Sequence, residues 1–140
     1  MVESKRYVDV NIFIYWLGGH PVFSDRALQW VKRIEGASKG EYVTSSLTFH
    51  EAVTIITGLT GGSSRDASLV NGVVEPILNL KGLKPVPLTS DDILRSKELM
   101  DEHDLDYEDS LHLAAALSAG SKEMVSNDRD FDRVGLKRIF

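Results

Sequence analysis

The chain has 140 residues, 42% of them hydrophobic and 26% charged, with a net charge of −5 and no cysteine. That size and balance suit one soluble globular domain over residues 1–140, and the lack of cysteine excludes disulfides and thiolate metal sites. The acidic balance argues against coating nucleic acid by charge alone, yet it leaves room for an enzyme whose carboxylates take up divalent cations. No run approaches the roughly 20 apolar residues of a membrane span. Met1–Arg6 lacks the organisation of a signal peptide, so a cytoplasmic location is expected, with no membrane partner.

In chain order, Arg6–Val10 reads as a short buried strand, followed by the apolar segment Ile12–Leu17 and a stop at Gly18-Gly19. Ser24–Ile34 has helical spacing, with Ala27, Leu28, Val31 and Ile34 on one face. Tyr42–Thr44 carries a β-branched and aromatic strand signal, and Leu47–Leu59 reads as a helix. After a loop at Thr60–Ser64, a helix over Asp66–Leu80 is expected to bend near Pro76. Leu83–Leu88 is a strand whose prolines favour an edge position. Thr89–Asp92 caps a helix over Ile93–Glu102, and a further helix, Tyr107–Ala119, stops at Gly120. Met124–Ser126 is a strand, Asp128–Arg133 a turn or short helix, and Leu136–Phe140 a last strand. Strands alternating with helical segments favour a mostly parallel sheet covered on both faces, an α/β class fold.

Four acids carry the chemical interest. Asp9 lies between Val8 and Val10, where an unpaired carboxylate is costly to bury; it either caps the turn beginning at Asn11 or serves a site at the carboxyl end of its strand. Glu51 fits a capping box with Thr48 and equally fits a group projecting to the same sheet edge. Asp109 is either a first-turn acid behind an Asp106 cap or a site carboxylate on a buried, alanine-rich helix. Asp128, in Ser126-Asn127-Asp128-Arg129-Asp130, follows a strand and has its own capping alternative. Each structural explanation stands alone, but four acids at four strand-to-helix junctions, or one turn beyond, meet at one edge of a parallel sheet. Carboxylates so gathered raise one another's pKa unless cations neutralise them, and an all-oxygen set suits Mg²⁺ or Mn²⁺ over Zn²⁺.

These pieces resemble the PIN-domain family, in particular its compact VapC-type toxins. The resemblance rests on Val8-Asp9-Val10-Asn11, Thr48-Phe49-His50-Glu51, Asp106 to Ala116 and Met124 to Phe131, in that order along nearly the whole chain. It implies a three-layer α/β/α sandwich and an endoribonuclease dependent on Mg²⁺ or Mn²⁺, with Asp9, Glu51, Asp109 and Asp128 as catalytic, metal-holding acids. Asp130 assists or replaces Asp128, and Asn11 and Ser126 orient the ligands. RNA as substrate, a small antitoxin as partner and a homodimer are implied as well. Arg129 and Arg133, with Lys137 and Arg138, are candidates for phosphate contact.

His112 stands three residues after Asp109 and within reach of it, a position that suits packing or a hydrogen bond better than general-base work. His50 points elsewhere on its helix, and Trp16, Trp30 and Ile55-Ile56 read as core or dimer surface. Two competing readings are a phosphoacceptor receiver module and a PIN-like scaffold that binds without cleaving. The receiver would want an acidic pair near the first strand and a lysine after a late one. This chain has neither.

Overall fold

The computed structural model describes residues 5–140. Met1 to Ser4, part of the segment read as lacking a signal sequence, lie outside the described residues. Five strands form one sheet: β1 Lys5–Val8, β2 Tyr42–Ser45, β3 Leu83–Val86, β4 Ser121–Val125 and β5 Lys137–Ile139. Their order is β3-β2-β1-β4-β5, and every pairing is parallel. The proline-bearing strand lies at an edge, where a missing N–H costs no ladder bond on its open side.

Six α-helices connect the strands: α1 Val10–Gly18, α2 Ser24–Glu35, α3 Ser46–Thr60, α4 Ala67–Leu78, α5 Ser90–His103 and α6 Tyr107–Ser118. They come in pairs between strands, a refinement of the simple alternation expected from sequence. The apolar run Ile12–Leu17 lies within α1, so β1 ends at Val8 and not at Val10. Pro76 sits inside α4, whose N-cap Asp66 accepts from the amides of Ser68 and Leu69. A short 3₁₀ turn, Arg129–Arg133, joins β4 to β5.

The two-residue period of the strands sorts their side chains into two cores. Val8, Tyr42, Leu83 and Val125 pack beneath α1 to α4 together with Phe13, Ile34, Ile56 and Ile77. Tyr7, Val43 and Met124 face the other way, onto Leu99 of α5 and Leu113 to Ala116 of α6. The small alanines bring α6 close to the sheet, and Gly120, at φ 76°, ends that turn in the left-handed region that favours glycine. Helices therefore cover both faces of a parallel sheet, as the α/β/α expectation requires.

Candidate active site at the carboxyl edge of the sheet

Because all the strands run in one direction, their carboxyl ends lie along one edge. Asp9 directly follows β1 and is the N-cap of α1, accepting from the Val10 amide at 2.8 Å. Its other oxygen accepts from the Ser126 hydroxyl, just past β4, at 2.7 Å. Both readings of Asp9 thus describe the same atom group: it caps a helix, one residue earlier than expected, and it faces the neighbouring junction. Ser126 is a hub. Its hydroxyl also accepts from the Asp128 amide at 3.0 Å and lies 3.4 Å from the Asn11 side-chain nitrogen.

Asp109 stands in the first turn of α6, its amide bonded to the N-cap Asp106 at 2.8 Å. Asp128 caps the 3₁₀ turn through the Asp130 amide at 2.9 Å. Asp109, Asp128 and Asp130 each offer a carboxylate oxygen, and these atoms all lie within 4.8 Å of one another. Both late acids, Asp128 and Asp130, therefore belong to the group. Burial first, then the charges of Asp128, Asp106 and Asp9, pushes the Asp109 carboxyl up to about 8. Burial likewise raises Asp9, against the opposing pull of His112, Ser126 and the Val10 amide.

Glu51 arrives differently. The N-cap of α3 is Ser45, not Thr48, so the capping box read from sequence does not form. Thr48 instead lies inside the helix, where the Thr44 hydroxyl bridges it at 2.7 Å to the Val8 carbonyl at 2.8 Å. Glu51 falls in the second turn of α3, buried, and accepts from His112 of α6. It is not one of the three-aspartate group; it meets Asp9 through His112, whose Nε2 is 3.8 Å from Asp9.

Sequence spacing alone puts His112 within reach of Asp109. The structure turns it toward Glu51 and Asp9 instead, with Nδ1 2.7 Å from the Tyr7 hydroxyl. Tyr7 in turn donates to Ser45 at 2.9 Å. An imidazolium satisfies every contact: Nε2–H donates to Glu51, Nδ1–H to Tyr7, and the Tyr7 hydroxyl to Ser45. Burial disfavours that charge, but Tyr7, Glu51 and Asp9 outweigh it and hold His112 well above the usual histidine value. Burial opposes ionisation of Glu51 too, yet the bond from His112 brings it below its ordinary value, while the neighbouring Glu108 is raised, chiefly by Glu51. Tyr7, Ser45 and Glu108 carry no sequence signal for this role, since the pairing depends on how α3 and α6 pack.

The expected phosphate contacts fare unevenly. Arg133 reaches Asp130 at 3.3 Å and the Asp104 carbonyl at 2.7 Å, and Arg138 is paired with Asp132 at 2.7 Å. Arg129 is exposed, as is Lys137.

Do these residues fit a divalent cation? Three close carboxylates, one of them driven to about 8 by burial and its neighbours, form a site whose charge calls for neutralisation. Asn11 adds a buried side-chain oxygen with no hydrogen-bond partner, beside Ser126 at the same edge. The donors are all oxygen, the chemistry of hard cations. They fit.

Comparison with known proteins agrees with this geometry. The PIN domain family model matches residues 6–137. The chain belongs to the PIN domain family. PIN domains are nucleases, which places this one among hydrolases acting on nucleic acid and sets aside the phosphoacceptor reading. No curated protein sequence matches the chain. Among solved structures, Mycobacterium tuberculosis VapC20, described as a Sarcin-Ricin loop cleaving toxin, is similar at TM-score 0.72 and 17% identity. That match covers 94% of this chain and 96% of the other. VapBC2 from Rickettsia felis, bound to a fragment of its promoter DNA, gives TM-score 0.69 and 16% identity, covering 97% and 98%. A toxin–antitoxin complex from Klebsiella pneumoniae gives 0.59 and 20%, covering 91% and 90%.

Proposed function

We propose that this PIN domain is an endoribonuclease dependent on Mg²⁺ or Mn²⁺, and the toxin of a toxin–antitoxin pair. The observation that carries the reading is the junction cluster: Asp109, Asp128 and Asp130 within one another's reach, with Asp9 close enough to raise Asp109. In this reading Asp9, Asp109 and Asp128, with Asp130, hold the cation, and Glu51 completes the acidic pocket from the α3 side.

A bound divalent cation would polarise the scissile phosphate and lower the pKa of a water. The chain's own residues do the rest. Ser126 fixes the Asp9 carboxylate and the Asp128 amide at once, so the first and last junctions keep register. His112 holds Glu51 ionised and ready to accept a proton or orient a water near the phosphodiester. Asp106 positions Asp109 through its amide. Attack on phosphorus leaves a 5′-phosphate and a 3′-hydroxyl, and the departing oxygen takes a proton from solvent.

The similar Rickettsia and Klebsiella structures are toxin–antitoxin complexes, which supports a small antitoxin as partner; a homodimer is proposed on the same footing. Incubation with total RNA tests the function. Cleavage is expected in Mn²⁺, absent in EDTA, and reduced at least about a hundredfold by Asp109→Asn, a loss of about 2.7 kcal/mol in transition-state stabilisation. Equal cleavage by parent and variant contradicts the assignment; RNA binding without cleavage favours the scaffold reading.

A further inference from the structure

An acidic pocket repels the polyanion it must cleave, so RNA has to be held by cations placed elsewhere along its path. Beside the acids, Arg133 is occupied by Asp104 and Asp130 and Arg138 by Asp132, which leaves the exposed Arg129 as the one arginine there without an ion pair among the described residues. On α2 the situation differs. Arg26, Gln29, Trp30 and Arg33, at spacings of three, one and three, line a cleft of about 190 Å³ with Phe140, and no aspartate or glutamate contributes to its wall.

Both guanidinium groups there are held by aromatic faces. Arg33 lies 4.7 Å from the centroid of the Trp30 ring and Arg26 lies 5.1 Å from that of Phe140. Neither makes an ion pair with a carboxylate among the described residues. A guanidinium stacked this way is restrained in orientation and still presents its N–H edge, the geometry that grips a phosphate bidentately. Trp30 is buried, so its covered face serves as a platform for Arg33 and not for a base.

The cleft is joined to the acids. Phe140 follows β5 at the carboxyl edge of the sheet and contacts Tyr15 and Phe23 at ring separations of 6.0 and 5.8 Å. The Tyr15 hydroxyl accepts from the Asn127 side chain at 3.1 Å, and Asn127 stands between Ser126 and Asp128. One aromatic wall therefore runs from the arginine cleft to the junction cluster. We propose that the α2 cleft is a phosphate-binding subsite in which Arg26 and Arg33 hold the backbone of single-stranded RNA whose scissile bond lies at the acids. The inference deepens the ribonuclease reading and rests on it for the choice of RNA.

The test is a titration of the ¹⁵N-labelled chain with a short single-stranded RNA in EDTA, following the Trp30 indole and arginine Nε–H resonances. These signals are expected to shift on binding. The Arg26→Gln/Arg33→Gln double variant should bind about tenfold more weakly, with the salt dependence of log K shallower by about 0.7 for each phosphate no longer neutralised. In Mn²⁺ its KM for RNA should rise while kcat holds. Lys84→Gln/Lys122→Gln, which removes equal charge from exposed positions outside the cleft, should leave affinity within about twofold of the parent. Absence of binding, unchanged affinity in the double variant, or equal weakening by the lysine control overturns the subsite. So does a shift of Trp30 by an acidic peptide but not by RNA. A parent chain that binds RNA through Trp30 and Arg33 yet cleaves nothing in Mn²⁺ contradicts the nuclease reading while supporting the subsite.

Discussion

His112 is the residue on which the interior of the site turns. It is 1% exposed and touches two buried acids, so its positive charge offsets theirs within the fold. Removing one partner of such a buried set leaves the others uncompensated. His112→Gln is expected to lower unfolding free energy by about 3–5 kcal/mol, read by urea denaturation at neutral pH. Its folded pKa is raised, so this stabilisation is complete below the unfolded value and fades as pH rises through the folded one. The gap between parent and variant should therefore narrow in alkaline solution. Asp109 shifts stability in the same direction with pH, from burial and like charges in place of carboxylate partners. Its carboxyl keeps a proton to about 8 in the fold but loses it near the ordinary value of 3.8 when unfolded. The metal-free chain accordingly loses stability from this group as pH rises across that window. Asp109→Asn should flatten the dependence and raise Tm at pH 8 by about 4 °C, the shift expected for roughly 1 kcal/mol, in calorimetry without metal.

Local elements are readable from sequence wherever a cap or a period stands out. Thr89–Asp92 forms the capping box of α5, with amide bonds of 3.0 and 3.1 Å, and Asp92 also accepts from Ser118 of α6 at 2.6 Å. Burial works against its charge, but Ser118 and Thr89 together hold the carboxyl below its usual value. Asp92→Asn should cost about 1.5–3 kcal/mol at neutral pH. The difference should disappear as pH falls through the folded pKa, where parent and variant are both uncharged; thermal melts at a series of acid pH values check it. Less legible is the start of α3, because Ser45, Ser46 and Thr48 all have capping chemistry. The choice falls to Ser45 through the tertiary bridge from Thr44 to Val8, which no local pattern records. α1 is obscured for another reason: Ile12 to Leu17 is apolar on all sides, so periodicity does not distinguish helix from strand.

At the scale of the molecule, parallel order is what converts sequence spacing into a site. Asp9 and Asp128, with Asp130 in the turn that Asp128 caps, are traceable as acids just after β1 and β4, and parallel strands bring those junctions to one edge. Asp109 departs from the expected strand-to-helix placement, because it opens α6 after the α5–α6 turn and reaches the edge through helix packing. What residue types do not reveal is how that edge divides. Glu51 meets Asp9 across His112, a contact spanning 61 residues of sequence, and the aspartate group gathers separately. Such partitioning depends on the packing of α3 and α6 against opposite sides of β1 and β2, which no local pattern encodes. Mn²⁺ added stepwise to the ¹⁵N-labelled chain measures the outcome, because a paramagnetic ion broadens only the amides around its site. Early loss of the Val10, Asp109, Asp128 and Asp130 amide signals is expected, saturating with added ion and abolished by Asp109→Asn. Broadening centred on other acids, or the same broadening in the variant, would contradict the convergence on which the function rests.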